Sequence, residues 1–394
     1  MTGVQTCALP ICFRRFLTKL IVRHMTSFLM PVEDVLNCDR DPDYRDILLN
    51  QYKERYPKKT EWLQRKTKKC LDSYSLLADL DEGTRTSMKK QMEYAFFAYG
   101  FYPDEFLFFD LGGKNKDINH FRTFVSETER WPFRFAANDF TNTLLSGKAD
   151  TYNKFSSFYK RDVLVIDKGS RYSQFLEFVE KHPSFVYKKV SSSRGDGVTL
   201  VEKVDNKKDF FKKAKQDGKI LLEERICQSK EMSVFNETSV NTIRLSSYNT
   251  RNGIFIVHGF FRSGRKGVFI DNAAKGGIFA VVDAQKGIII SDGYDEFGGV
   301  YKIHPDSNVE FRNYRFPDWE EARKICIEIT GMIPRIKYIS FDLSYTKNGW
   351  DIVEINPSGQ YLHQTGQAEG FREELRDLIQ NMDLMTPYHL RKYC

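Results

Sequence analysis

Two strand-like runs joined at Asn348-Gly349 constrain this chain more than any other feature. The first run carries Asp342 and the second ends in Glu354-Ile355-Asn356. An Asn-Gly pair between such runs is the strongest short-range hairpin signal, because both residues tolerate the positive φ of a tight turn. The spacing predicts an acid closing one apolar strand and a Glu-Ile-Asn end on the next. Asp342 and Glu354 then meet at one end of the hairpin, and Asn356 shares the strand parity of Glu354. Two carboxylates and an amide oxygen form a hard-oxygen set suited to Mg²⁺, which takes its remaining ligands from water and phosphate. The same residues also describe a surface hairpin with polar ends.

The chain has 394 residues, enough for two or three subdomains. Aromatics reach 14%, which argues against disorder. The net charge of +7 suits an anionic substrate such as a nucleotide, a sugar nucleotide or an acidic glycan. The pairs Lys207-Lys208 and Lys212-Lys213 fall in an amphipathic helical pattern and read as a solvated face. No nucleic-acid-binding motif is recognisable. Cys7, Cys12, Cys38, Cys70, Cys227, Cys326 and Cys394 are scattered without zinc spacing, as expected of free thiols in a reducing cytoplasm.

Residues 1–12 resemble translated sequencing-adapter sequence and are set aside as non-native. The apolar run that follows is broken by Arg14, Arg15, Lys19, Arg23 and His24, so no transmembrane helix is expected. Residues 13–29 still suit a basic amphipathic helix lying on a membrane surface.

Periodicity divides the remainder into three regions. Residues 13–135 read as helix-rich, with helical spacing at 44–56, 60–79, 84–99 and 121–134. Residues 136–226 read as a small β-α-β-β-α-β unit, with strands at 162–167, 185–190, 197–204 and 220–226 and helices at 171–181 and 205–216. In residues 227–394 strands dominate, at 240–250, 253–261, 277–283 and 287–291. A helix at 318–330, the hairpin and a helix at 370–381 follow.

Two further stretches carry chemistry. A strand over 185–190 delivers Lys188 and Lys189, and Ser191, Ser192, Ser193, Arg194, Gly195, Asp196 and Gly197 follow. Glycines let a backbone approach a ligand closely, and successive N–H groups can cradle phosphate oxygens. No Gly-Lys-Ser/Thr opens a helix here, so this is not a Walker A loop; an ordinary hairpin turn is the alternative. The strand Ile220-Leu221-Leu222 runs into Glu223-Glu224-Arg225-Ile226, where it leaves the small unit. Backbone groups there can meet an adenine edge, and a carboxylate can take ribose hydroxyls; an amphipathic strand end is the alternative.

The succession of Lys154, Lys188 with its Ser/Gly loop, Glu223-Glu224, Asn241-Thr242-Ile243-Arg244, Asp342 and Glu354-Ile355-Asn356 resembles the ATP-grasp superfamily. Four stretches make it similar to the sugar-transfer-associated ATP-grasp family. They are Tyr102-Pro103-Asp104-Glu105-Phe106, Ser239-Val240-Asn241-Thr242-Ile243-Arg244, Asp271-Asn272-Ala273-Ala274-Lys275-Gly276-Gly277 and His304-Pro305-Asp306-Ser307. The likeness covers roughly residues 90–381.

It implies an α+β ATP-grasp fold, with two α+β subdomains clasping ATP behind a helix-rich N-terminal region. It further implies that Lys154 and Lys188 bind ATP phosphates under a flexible loop of Ser191, Ser192, Ser193, Gly195 and Gly197. Glu223 and Ile226 would hold adenine, with Glu223 or Glu224 near the ribose. Asp342, Glu354 and Asn356 would hold Mg²⁺. Arg244 would face the transferring phosphoryl group, assisted by Asn241 and Arg262. Lys189 stands where the superfamily commonly has proline, and strand alternation lets only one of the two lysines face the nucleotide; Lys188 is chosen.

The implied activity is an ATP-dependent carboxylate–amine ligase working through an acyl phosphate on a sugar or polysaccharide precursor, in the cytoplasm. Its partners would be ATP and small-molecule or glycan carboxylates and amines, with no nucleic acid. An ATP-grasp kinase and a nucleotide-binding scaffold in a polysaccharide assembly complex are the alternatives. His304 and His363 read as hydrogen-bonded loop histidines, with acceptor contact as the other reading. Arg262, Arg265 and Lys266 form a basic stretch suited to an acidic substrate or to solvent.

Overall fold

The computed structural model describes residues 11–74, 77, 79–112, 118–139, 147–189, 197–267, 276–365 and 370–393. Helices come first: α1 (Ile11–Thr26), α2 (Val32–Arg40), α3 (Pro42–Arg55), α4 (Pro57–Ser73), α5 (Glu82–Tyr99), α6 (Pro103–Phe108), α7 (Ile118–Thr123) and α8 (Glu127–Ala137). Their starts are written in the sequence. Proline occupies the first turn of α3, α4 and α6, where a missing N–H costs nothing. Asp41 and Asp81 cap α3 and α5 by accepting backbone N–H groups. Gly100 ends α5 at φ +81, and a Cβ there would lie 2.8 Å from Thr128. An aromatic core of Phe28, Tyr52, Phe96, Phe97, Tyr99 and Phe101 fills the bundle, and Tyr393 from the far end of the chain joins it.

After α9 (Lys148–Phe155) comes a small antiparallel sheet of β1 (Val163–Ile166), β2 (Phe185–Lys189), β3 (Val198–Val201) and β4 (Ile220–Glu224), ordered β1-β4-β2-β3. Two helices, α10 (Tyr172–Lys181) and α11 (Lys207–Gln216), cover one of its faces. Ile166, Phe185, Ile220 and Leu222 point into that cover, so Lys188, Leu221 and Glu223 point away from it.

The short helix α12 (Lys230–Ser233) leads to a seven-stranded antiparallel sheet, ordered β11-β10-β5-β6-β7-β8-β9. Its strands are β5 (Thr242–Thr250), β6 (Gly253–Ser263), β7 (Ile278–Asp283), β8 (Ile288–Tyr294), β9 (Val300–Tyr301), β10 (Tyr338–Thr346) and β11 (Gly349–Asn356). Helix α13 (Trp319–Gly331) packs on one face, over Ile243, Leu245, Phe341, Leu343, Ile352 and Ile355. The opposite face is divided. At the Tyr248–Tyr338 end it is covered by α8 and by α14 (Arg372–Gln380) through Phe133, Ala136, Leu375 and Ile379. At the other end it carries Thr242, Arg244, Arg262, Asp342 and Glu354. α8 and α14 leave the polar residues of that half uncovered.

The α+β architecture agrees with the sequence expectation, and three details differ. Asp342 lies in the middle of β10, not at its end, because the strand runs on through Ser344 to Thr346. The helical pattern at 121–134 is two helices, split around Phe124. The two-residue β9 has too few residues to show a period.

Candidate active site

The site is assembled on neighbouring strands by register. Asp342 pairs with Glu354 across β10–β11 and with Arg244 across β10–β5, while Thr242 pairs with Arg262 across β5–β6. Directly paired residues point to the same face of a sheet. The carboxylate of Asp342 is buried and accepts from Arg244 twice, Nε to Oδ1 and Nη2 to Oδ2, both at 2.6 Å. Arg262 Nη2 lies 3.1 Å from the same Oδ2 and also donates to Thr242 Oγ1 at 2.8 Å. Burial alone would raise the Asp342 carboxyl; the two guanidinium groups outweigh it and hold it below the usual carboxylate range.

Glu354 is more open, at 35% side-chain exposure, with Lys148 Nζ at 3.4 Å. Asn356, opposite Ser340, shares this face, its amide nitrogen 3.5 Å from Asp342 Oδ2. The donor set therefore fits a hard divalent cation: an ionised aspartate, a reachable glutamate and an amide oxygen on one face.

The small sheet meets this face through buried charges. Lys188 Nζ donates to Glu223 Oε2 at 2.8 Å. Arg161, just ahead of β1, donates to the same Oε2 at 2.7 Å, to Asp351 Oδ2 at 2.9 Å and to the Ile352 carbonyl at 2.5 Å. Glu223, Arg161 and Asp351 are all buried. Burial pushes the Glu223 carboxyl up, and Lys188 and Arg161 outweigh it, bringing it down to about 2. Burial would lower the Arg161 guanidinium, but Glu223 and Asp351 hold it raised. Asp351 joins this face through a bulge. The β10–β11 register steps from Asp342–Glu354 to Leu343–Ile352, leaving Val353 unpaired and returning Asp351 to the side of Glu354.

The loop after β11 is pinned to the sheet. Arg244 Nη1 donates to Gln360 Oε1 at 2.9 Å, and Arg130 Nη1 to the Gly359 carbonyl at 2.7 Å. A Cβ on Gly359 would lie 2.4 Å from Ser246 Oγ and 2.8 Å from the Tyr338 hydroxyl, so only glycine lets the loop sit so close.

The sugar-transfer associated ATP-grasp family model matches residues 159–380. The chain belongs to this family. Among solved structures, D-alanyl-alanine synthetase A from Vibrio cholerae matches at 12% identity and a TM-score of 0.37, over 59% of this chain and 60% of its own. D-alanine–D-alanine ligase from Bacillus anthracis matches at 12% identity and 0.37, over 60% and 67%. N5-carboxyaminoimidazole synthetase from Staphylococcus aureus, solved with ADP, matches at 11% identity and 0.35, over 55% and 45%. The chain thus spans about 60% of the V. cholerae enzyme's length and under half of the S. aureus enzyme's. No curated protein sequence matches.

In this ATP-grasp chain the proposed residues fall into distinct places. Lys188 points inward, while Lys189 points outward to Asp217 at 3.2 Å. Lys154 is exposed on α9, and it is Lys148, at the start of that helix, that reaches Glu354. Glu224 faces the helix-covered side, where it accepts the Asp162 N–H at 3.0 Å, so Glu223 alone of the pair joins Lys188. Ile226 lies half-buried in the connector between the sheets. Gly197 opens β3 at φ +83, and Ser191, Ser192, Ser193 and Gly195 lie outside the described residues. So do Asp271 to Lys275.

Asn241 is turned away from Arg244: its amide donates to the Met232 and Asn236 carbonyls at 2.7 and 2.9 Å on the core side. Arg262 and Arg265 part company, the first at Asp342 and the second bidentate on Asp306. His304 is a buried loop histidine whose Nδ1 accepts the Asp306 N–H at 3.3 Å. His363 is buried and stacked on His258, ring centroids 3.7 Å apart. Burial holds His258 down at about 3 and His363 well below its ordinary value, so both are neutral.

Asp162, His182 and Glu224 gather a second set of donor atoms within 4.8 Å of one another. They lie on the helix-covered side of the small sheet, with Lys181 and His182 already on the Asp162 carboxylate.

Proposed function

We propose that the protein is an ATP-dependent ligase that joins a carboxylate to an amine, acting on a sugar or polysaccharide precursor. One observation carries the reading. The inward lysine of the small sheet and the acid–amide set of the large sheet face a common space, linked through Glu223, Arg161 and Asp351. Lys188 supplies positive charge to the nucleotide phosphates, and Glu223 and the connector through Ile226 meet the nucleoside. Asp342, Glu354 and Asn356 would hold Mg²⁺, which when bound neutralises phosphate charge.

Arg244 and Arg262 converge on the Asp342 carboxylate, and in this reading their charge stabilises the transferring phosphoryl group. Gln360 keeps the Arg244 fork in place. In the first step a substrate carboxylate oxygen bonds to the γ-phosphorus, the bond to the β–γ bridging oxygen breaks, and ADP leaves. In the second an amine attacks the acyl carbon, phosphate leaves with the carboxylate oxygen, and the nitrogen loses a proton. Such chemistry asks the protein mainly for positioning and charge neutralisation, so no enzyme nucleophile is needed.

The test is an ADP-release screen of the full chain with Mg-ATP, pooled amino acids and uronic acids. A ligase releases ADP only when a carboxylate and an amine are both present. With an ¹⁸O-labelled carboxylate, one ¹⁸O appears in the released phosphate. Phosphate that stays on a hydroxyl acceptor assigns a kinase instead. A protein that binds Mg-ATP without turnover in any pool is a scaffold.

A further inference from the structure

Helix α1 carries a feature that the ATP site does not use. Among the described residues, four large apolar side chains within six positions of this helix are exposed: Phe16 at 57%, Leu17 at 38%, Leu20 at 47% and Ile21 at 40%. At 100° per residue they share one arc of the helix surface, with His24 within it. Thr18, Val22 and Met25 occupy the opposite arc and are half-buried, Val22 against the cluster that includes Val125 and Phe133. The helix is therefore seated on the protein by one side and presents an apolar ridge on the other.

Charge indicates what covers that ridge. Lys19 and Arg23 are exposed along one border of the apolar arc. The sequence adds Arg14 and Arg15 to the same helix, and the first acidic residue of the chain is Glu33. An apolar stripe edged by cations, without acids, fits an interface that is apolar inside and anionic at its rim. A bilayer bearing anionic headgroups has that profile. Lys19 and Arg23 interrupt the apolar run of the described helix, which suits it to lying along the surface. No helix among the described residues is long and apolar enough to cross.

We propose that α1 is a membrane-docking helix, inserting Phe16, Leu17, Leu20 and Ile21 among the acyl chains of an anionic leaflet while Lys19 and Arg23 meet its headgroups. This proposal is independent of the ligase reading.

The experiment is flotation of the full chain with vesicles of phosphatidylcholine, alone or mixed with phosphatidylglycerol. The protein should float with the anionic vesicles and be released as salt rises. The double changes Phe16→Ser/Leu20→Ser and Lys19→Glu/Arg23→Glu should each weaken partitioning about tenfold or more, while melting stays near wild type because these side chains are exposed. Ile47→Ser, an equally exposed apolar position on α3, should leave partitioning unchanged. Three results would overturn the proposal. One is wild-type protein that does not float with anionic vesicles. Another is equal loss with Ile47→Ser. The third is a dimer that Phe16→Ser/Leu20→Ser converts to monomer, which gives the ridge to a second copy of the chain.

Discussion

Replacing Glu223 with glutamine tests the join between the two sheets most directly. The carboxylate is buried, accepts from Lys188 and Arg161, and has its pKa brought from 4.5 down to about 2. That gap corresponds to roughly 3 kcal/mol in favour of the ionised form in the folded protein. Breaking a buried ion pair on one side costs about 3–5 kcal/mol. The amide keeps the shape but leaves Lys188 without an anion and Arg161 with Asp351 alone. Glu223→Gln should therefore unfold in urea with about 3 kcal/mol less stability at pH 7. The sign of the pH dependence follows from the depressed pKa. The wild-type advantage is complete above the unfolded value of 4.5 and is lost as pH falls toward about 2. At pH 3.5 the difference between the two proteins should have shrunk by about 1 kcal/mol. Other carboxylates titrate alike in both and cancel. A difference below about 1 kcal/mol at pH 7, or one unchanged between pH 7 and 3.5, would refute the ionic join.

Three further expectations separate roles within the site. Glu354→Gln should leave the melting temperature within a few degrees of wild type yet raise the Mg²⁺ needed for ADP release, whereas Asp342→Asn should lower stability by about 3–5 kcal/mol, because two arginines lose their common anion; equal melting temperatures for the two variants would contradict the assignment. Lys148 lies beside Glu354 and Lys154 is exposed on the same helix, so Lys148→Ala should weaken Mg-ATP binding by calorimetry about tenfold and Lys154→Ala should change it little; the reverse order would support the phosphate role that the family resemblance implies for Lys154. Of Cys38, Cys70, Cys227 and Cys326, peptide mapping after brief alkylation should find the label on Cys227, because burial pushes Cys38 and Cys70 up to about 11 and raises Cys326 well above its ordinary value; rapid labelling of Cys326 would show that α13 does not hold this side of itself against the large sheet.

The strands were legible because apolar alternation and turn residues are local signals. A hairpin at this point, and the face shared by Asp342, Glu354 and Asn356, could be counted off the chain, although the loop is Lys347-Asn348 and Gly349, at φ +92, already opens β11. The bulge at Val353 could not. Simple alternation puts Asp351 on the opposite side from Glu354, and a single unpaired residue moves it back. Arg161 gave no signal either, since a lone arginine between Lys160 and Asp162 reads as solvated charge. Its role exists only when β4 and β11 approach from distant parts of the chain. Lys154 and Lys148 are both lysines of one helix, and which one faces the acids depends on how α9 is rotated against β11. Asn241 was misplaced by its neighbours. It stands beside the site strand in sequence, but parity sends its side chain to the core.

A single guanidinium at the root of β1 holds a carboxylate from each sheet. Any swing of the small sheet relative to the large one that keeps both contacts must pivot near Arg161, as a lever turns about its fulcrum. Glu223 and Lys188 lie close to that pivot, while β3, which begins at Val198, forms the opposite edge of the sheet and sweeps the longest arc. A swing of that kind would part the far rim of the small sheet most and move Glu223 and Lys188 least.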